Sequence, residues 1–241
     1  MLLGVTLGDA AGVGPEIVLK AFRDGAMPWR FVVIGDQSVL DYANDSLGFG
    51  VPLSRVTTCQ AARAGAFNVL DLGRLPKDAI VPGAVSAASG QAAYQYLLRG
   101  IDEARAGHVN ALVTLPMNKE ATRLTVPDFS GHTDVIAQAA GCRHYTMTLI
   151  SPRFIVTHVT AHAALRVAID MIHADRVFDV IRLTDQAARR LGRPARMAVM
   201  GLNPHAGEDG AFGDEERRHI RPAVERARGE GFDAVGPLPP D

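Results

Sequence analysis

The strongest constraint on this chain is its alternation of short apolar runs with stretches at helical spacing. Leu2–Leu7 reads as a short buried strand, and Arg30–Ile34, Asn68–Leu72 and the compact Ala111–Thr114 as further strands. Ile17–Arg23, Gln37–Leu47 and Ser86–Ala106 read as helices between them, the last interrupted by Gly90 and Gly100. Strands that alternate with helices predict an α/β fold, a mainly parallel sheet covered on both faces. Gly48–Ala66 shows no clear period and reads as loop with a short strand. Thr146–Ile150 and Arg153–Val159 predict a hairpin turning at Ser151-Pro152, and Ala174–Leu191 an amphipathic helix. Arg196–Met200 reads as a further buried strand and Asp214–Arg228 as a helix. No repeat, low-complexity tract or linker divides the chain, so a second lobe is expected as an excursion of the same sheet.

Composition excludes several classes of function. The 241 residues can bury a sizeable core, and their formal net charge of −1 leaves no basic field for nucleic acid. No apolar run reaches membrane length, and Met1–Leu7 is too short for a signal segment. A cytoplasmic protein with no membrane partner is expected. Cys59 and Cys142 match no ligand spacing and are expected to be reduced core thiols.

Chemistry-bearing residues gather where strands end. Open α/β sheets bind ligands outside the carboxyl ends of their strands. Gly8-Asp9-Ala10-Ala11-Gly12-Val13-Gly14-Pro15-Glu16 follows the first strand. Pro15 suits a first helical turn and Glu16 the positive helix end, so this turn could receive an anion or be purely structural. It matches neither common nucleotide fingerprint. Thr114–Glu120 follows the strand at Ala111–Thr114, and its Lys119 is a candidate anion holder or proton carrier. Ser130-Gly131-His132-Thr133-Asp134 precedes the apolar helix Val135–Ala140. Ser130 or Thr133 could cap that helix, and His132 with Thr133 offers donors to an oxygen-rich ligand.

His158 and His162 lie four apart, on one face if the segment is a strand, and at ligand spacing if it is a helix. Val159 departs from the H-E-x-x-H pattern, which argues against a zinc protease. Gly201-Leu202-Asn203-Pro204-His205-Ala206-Gly207-Glu208 is a polar loop at a strand end that presents a single imidazole.

Taken together in order and spacing, Gly8–Glu16, Thr114–Lys119, Gly131–Asp134 and Gly201–Glu208 resemble the 4-hydroxythreonine-4-phosphate dehydrogenases of vitamin B6 synthesis. The resemblance spans essentially the whole chain. It implies an isocitrate/isopropylmalate dehydrogenase-like fold of two interleaved lobes and a homodimer with sites shared between subunits. It implies a metal-dependent oxidation and decarboxylation of a small phosphorylated hydroxy acid with NAD or NADP as cofactor. By that similarity His162 and His205 are ligands of a divalent metal (zinc, cobalt or magnesium), and His132 and Thr133 hold the substrate. Lys119 is the candidate catalytic amine, and Asn203 and Glu208 are candidates to orient His205. The run His158-Val159-Thr160-Ala161-His162-Ala163-Ala164-Leu165-Arg166 is similar to a sister group acting on 4-phosphorylated threonate or erythronate. Two departures stand out. Ala10 replaces the family's usual proline, and the chain stops at Asp241, ahead of a segment that by resemblance brings a third metal histidine and much of the cofactor site. An incomplete metal site is therefore expected, and a non-catalytic phosphate-binding remnant is the competing expectation. Phosphate-dependent acyl transfer on a related fold fits less well, because it needs no histidine metal site.

Overall fold

A computed structural model describes residues 1–241. The chain forms two compact units, Met1–Gly141 and Cys142–Asp241. The first is built on five parallel strands, β1 (Leu2–Thr6), β2 (Arg30–Gly35), β3 (Leu53–Val56), β4 (Phe67–Asp71) and β5 (Ala111–Thr114), in the order β3-β4-β2-β1-β5. Five helices accompany them: α1 (Gly14–Arg23), α2 (Gln37–Leu47), α3 (Ala87–Arg105), α4 (Lys119–Arg123) and α5 (His132–Ala139).

The central strands β1, β2 and β4 are largely buried on both sides, as a parallel sheet covered on two faces requires. Along β2, Phe31 and Val33 enter one core with Val5, Leu19, Leu40 and Tyr96. Val32 and Ile34 enter another with Leu2, Val56 and Val109. Residues that alternate in direction and are all apolar need cover on both faces. Phe22, Phe31 and Phe67 pack edge to face in the first core, with centroids 5.4–5.8 Å apart.

The glycines inside α3 are places of close approach. A β-carbon on Gly90 would stand 2.2 Å from the Ala121 carbonyl oxygen of α4, and one on Gly100 would stand 2.6 Å from Thr6 Cγ2 in β1. Their absence lets α3 lie directly on α4 and the sheet. Ser86 caps α3 by accepting from the Ser89 N–H at 3.2 Å.

The second unit is not an excursion of that sheet. It carries the antiparallel pair β6 (Thr148–Ile150) and β7 (Ile155–Thr157), and the parallel pair β8 (Met197–Met200) and β9 (Ala234–Leu238). Between them run α6 (Leu165–Asp170), α7 (Ala174–Arg190) and α8 (Arg221–Gly229), the last entered through a π turn at Glu216–Ile220. Val177, Phe178, Ile181, Ala223, Val224 and Ala227 join α7 and α8 around Ala234. The Arg226 guanidinium lies 3.8 Å above the Phe178 ring.

Several expectations change at this level. β8 alternates between half-buried and exposed residues instead of being buried throughout. β9 was not anticipated. Both cysteines are free, but Cys142 is exposed and only Cys59 is a core thiol, its pKa pushed up to about 12 by burial. No helix is long and apolar enough to cross a membrane.

Candidate active site

In the first unit the chain moves from β1 to β2 on one side of the sheet, and α3 later crosses to β5 on the other. The carboxyl ends of β1 and β5 therefore form a topological switch point, where such sheets receive ligands. Both expected loops are there. Leu7–Val13 leaves β1 and Leu115–Asn118 leaves β5. The Asp9 N–H donates to the Pro116 carbonyl at 2.9 Å, and the Leu115 N–H to the Thr6 carbonyl at 3.1 Å. Gly8 makes the junction possible: its φ is +71°, and a β-carbon would lie 2.3 Å from the Pro116 oxygen. Asp9 is buried and its Oδ1 accepts from the Ala11 N–H at 3.0 Å, which folds the loop onto itself before α1.

The β5 loop hands over to α4 through Asn118, whose Oδ1 accepts from the Ala121 N–H at 3.1 Å. Arg123 Nε donates to the Phe129 carbonyl at 2.8 Å, and Phe129 packs edge to face on Tyr94. These contacts carry the chain back so that α5 begins beside Lys119. The Lys119 ammonium lies 3.8 Å from where a Gly131 β-carbon would be. Neither Ser130 nor Thr133 caps α5. Gly131 occupies the cap position without a side-chain bond, His132 is itself the first helical residue, and Thr133 is exposed.

His132 is the group in this region whose surroundings bear most directly on its chemistry. Its Nε2 is buried and has no hydrogen-bond partner. Burial pushes the imidazole below its ordinary range; the Leu115 carbonyl opposes that shift and the Lys119 charge adds to it. A neutral imidazole with an unpaired nitrogen is suited to bonding a ligand oxygen. Lys119, His132 and Thr133 thus gather at one end of the sheet.

The second unit holds the other candidates. Thr157 Oγ1 and Thr184 Oγ1 lie 2.7 Å apart and tie the end of β7 to α7. His158 is fastened into the hairpin. Its N–H donates to the Met147 carbonyl at 3.1 Å, its Nδ1 lies 3.3 Å from the same oxygen, and its carbonyl accepts from Thr146 Oγ1. His162 is reached through a turn in which Arg176 Nε holds the Val159 carbonyl at 2.9 Å. Neither strand nor helix geometry holds over 158–162, because His162 is exposed and left-handed at φ +55°.

The β8 loop is more unusual. His205, Ala206, Gly207, Glu208 and Asp209 are all left-handed, with φ between 40° and 81°. For each non-glycine residue such a conformation costs on the order of 1–2 kcal/mol, so tertiary contacts must hold it. Two acidic residues do so. Asp241 accepts from the His205 N–H at 3.2 Å (Oδ1), and its Oδ2 lies 2.8 Å from His205 Nδ1. Glu216, 3% exposed, accepts from the Leu202 and Asn203 N–H groups, both at 2.7 Å, and from Asn203 Nδ2 at 3.0 Å. Burial alone would raise the Glu216 carboxyl, but the donors of Asn203 and Leu202 outweigh it and hold the group below its usual range.

The expected orienting pair is thereby corrected. Asn203 is committed to Glu215 Oε2 at 2.8 Å and to Glu216, and it is Asp241 that meets the imidazole. Neither Glu216 nor Asp241 was recognised in the sequence; a buried acid facing a glycine-flanked loop leaves no local pattern.

No group of three or more histidine, cysteine, aspartate or glutamate side chains converges in the chain. Catalytic zinc commonly takes three protein ligands. The donors fit in kind. Both imidazoles are exposed, and a carboxylate on Nδ1 leaves Nε2 of His205 to ligate, a pairing common at metal histidines.

A parallel α/β unit with polar loops converging at its switch point, followed by a unit presenting histidines on strained loops, has the makings of a ligand-binding enzyme. Comparison with known proteins makes the class specific. Residues 28–241 match the family described as pyridoxal phosphate biosynthetic protein PdxA, and the chain belongs to that family. It is 42% identical over 246 residues to 4-hydroxythreonine-4-phosphate dehydrogenase of Beijerinckia indica, covering 99% of this chain and 72% of that protein. It is 39% identical over 245 residues to D-threonate 4-phosphate dehydrogenase of Salmonella typhimurium, covering 99% and 75%. Among solved structures, 4-hydroxythreonine-4-phosphate dehydrogenase from Klebsiella pneumoniae matches with a TM-score of 0.88 at 36% identity, over 100% of this chain and 74% of that one. The chain thus spans about three quarters of the length of these relatives.

Proposed function

We propose that the protein is a cytoplasmic dehydrogenase that oxidises and decarboxylates a phosphorylated hydroxy acid with NAD or NADP. The 4-hydroxythreonine 4-phosphate of pyridoxine biosynthesis is the first substrate to consider. The observation that carries this reading is the presence, in family order, of His132 at the start of α5 and of His162 and His205 at left-handed loop positions. Threonate or erythronate 4-phosphate is the second substrate, favoured by the His158–Arg166 segment and by the Salmonella relative.

In this reading His132 and Thr133 bond substrate oxygens, and the unpaired His132 Nε2 gains an acceptor or donor partner. When bound, NAD or NADP would accept the hydride from the carbon that bears the hydroxyl, and Lys119 would hold or move the proton of that hydroxyl. The resulting 3-oxo acid loses carbon dioxide, and Lys119 returns a proton to the enolate carbon. His162 and His205 would hold a divalent zinc, cobalt or magnesium ion, together with donors from outside this chain. When bound, such an ion supplies stabilisation of negative charge on oxygen. Asp241 keeps the His205 ring turned for that role.

The isocitrate/isopropylmalate dehydrogenase-like architecture with two interleaved lobes belongs to this reading, as does a homodimer with shared sites. Exposed Leu149, Ile150 and Phe154 on the β6–β7 hairpin support a protein partner there.

The test is reduction of NAD or NADP with added divalent metal, run separately on 4-phosphohydroxythreonine and on the two phosphorylated sugar acids. Turnover of either class supports a dehydrogenase and identifies its substrate. Binding of the phosphorylated compounds without turnover in any arm would replace it with a non-catalytic binding protein.

A further inference from the structure

We propose that Glu216 is a positioning residue for His205: its buried carboxylate is the template on which the Gly201–Gly207 segment folds, and so sets where the imidazole points. This inference rests on the reading of His205 as a metal ligand.

A run of five left-handed residues is not a state that the chain adopts by local preference. Each end of the loop must therefore be tied to something rigid. Asp241 ties the imidazole end. The other end, Leu202-Asn203, has its two consecutive N–H groups aimed at a single oxygen, Glu216 Oε1, both at 2.7 Å. The second oxygen, Oε2, receives Asn203 Nδ2 at 3.0 Å.

The same carboxylate also shapes the far side of the loop. A β-carbon on Gly207 would stand 2.7 Å from Glu216 Oε2, and one on Gly201 would stand 3.2 Å from Oε1. The loop therefore wraps the carboxylate on both flanks, and two glycines are the residues that let it do so. Glu216 itself sits in the π turn that opens into α8, beside Ile220 in the core of the unit. A group placed there is fixed by helix packing, so it can hold the loop without moving with it. His205 lies two residues beyond Asn203. A shift of the Leu202-Asn203 backbone is passed directly to it.

Glu216 is not positioned to bond substrate or metal, since its oxygens are occupied by the loop's own donors. Its effect is indirect, and its test must separate positioning from general stability. Zn2+ affinity of the folded protein would be measured by titration calorimetry for wild type, Glu216→Gln, Glu216→Ala and His205→Ala. Backbone amide exchange at Leu202 and Asn203 and the His205 ring resonances would be followed by NMR without metal. Glutamine keeps the shape and one acceptor oxygen but turns its amide against Asn203 Nδ2, so graded loss is expected. Affinity should fall by roughly 10-fold in Glu216→Gln and by more in Glu216→Ala, the size typical of groups that orient a ligand. Faster exchange at both amides and displaced His205 resonances should accompany it.

If Glu216→Gln lowers thermal stability yet leaves Zn2+ affinity and the His205 resonances at wild-type values, the role is purely structural and the proposal fails. If His205→Ala retains wild-type affinity, the ligand reading fails instead. The amide and ring signals then still decide whether Glu216 positions the loop. Should both Glu216 variants fail to fold, Asn203→Ala removes the side-chain donor to Glu216 Oε2 together with the one to Glu215, and Glu215→Gln serves as its control; unchanged His205 resonances in Asn203→Ala would overturn the proposal.

Discussion

Gly8 shows how much a single residue carries. Its positive φ and its contact with the Pro116 oxygen join the β1 and β5 loops. Gly8→Ala should therefore destabilise the protein by about 1–3 kcal/mol, through a strained backbone pressed against a carbonyl that cannot swing away. Urea unfolding measures this directly, and an unchanged midpoint would contradict the packing described.

His132 makes a prediction about pH. Its folded pKa lies below the ordinary 6.5 because burial, opposed by Leu115 and reinforced by Lys119, disfavours the cation. Above 6.5 both folded and unfolded imidazoles are neutral, and the group contributes no pH dependence. As pH falls below 6.5 the unfolded chain takes up the proton first, so stability drops until the folded value is passed. Stability of wild type relative to His132→Gln should decline over that window. Parallel curves would show that the ring is not desolvated. The place of His132 at a helix start is legible from the small polar residues around it. Its unpaired nitrogen is not, because that depends on Leu115 and Lys119 arriving from another element.

At the scale of elements, the helices and parallel strands were readable because each repeats its own period. The run Gln37–Leu47 and the strand Ala111–Thr114 coincide with α2 and β5. The glycines that interrupt α3 look like helix breakers in sequence, yet Gly90 and Gly100 are the contact points with α4 and β1. Gly90→Ala should cost about 1–3 kcal/mol by overpacking, although alanine is the better helix former. A stabilised variant, seen as a raised melting temperature, would contradict that contact.

β9 escaped notice because Gly236, Pro237 and Pro239 carry turn signals, and Pro is tolerated only where a strand lacks a neighbour on one side. The left-handed turn at His205 was invisible for a different reason. Its conformation is imposed by Glu216 and Asp241, which lie 11 and 36 residues away in sequence.

For the whole molecule, the ordered set of four motifs carries the family resemblance, and two of them, Gly8–Glu16 and Thr114–Lys119, follow the neighbouring parallel strands β1 and β5. The second unit's separate small sheets were not foreseen, since short strands beside helices read the same whether they extend a sheet or begin another. The hairpin's exposed Leu149, Ile150 and Phe154 lead to an expectation about assembly. For the proposed homodimer, a Leu149→Asp/Phe154→Asp variant should sediment as a monomer and the wild type as a dimer. Equal sedimentation would remove the hairpin from the interface.

In the proposed function, His162 and His205 serve one divalent cation. Zn2+ titration of wild type, His162→Ala and His205→Ala at constant pH tests it most directly. The expected result is tight binding by the wild type and at least a roughly 10-fold loss in each variant, with circular dichroism unchanged. Wild-type affinity in both variants would contradict it.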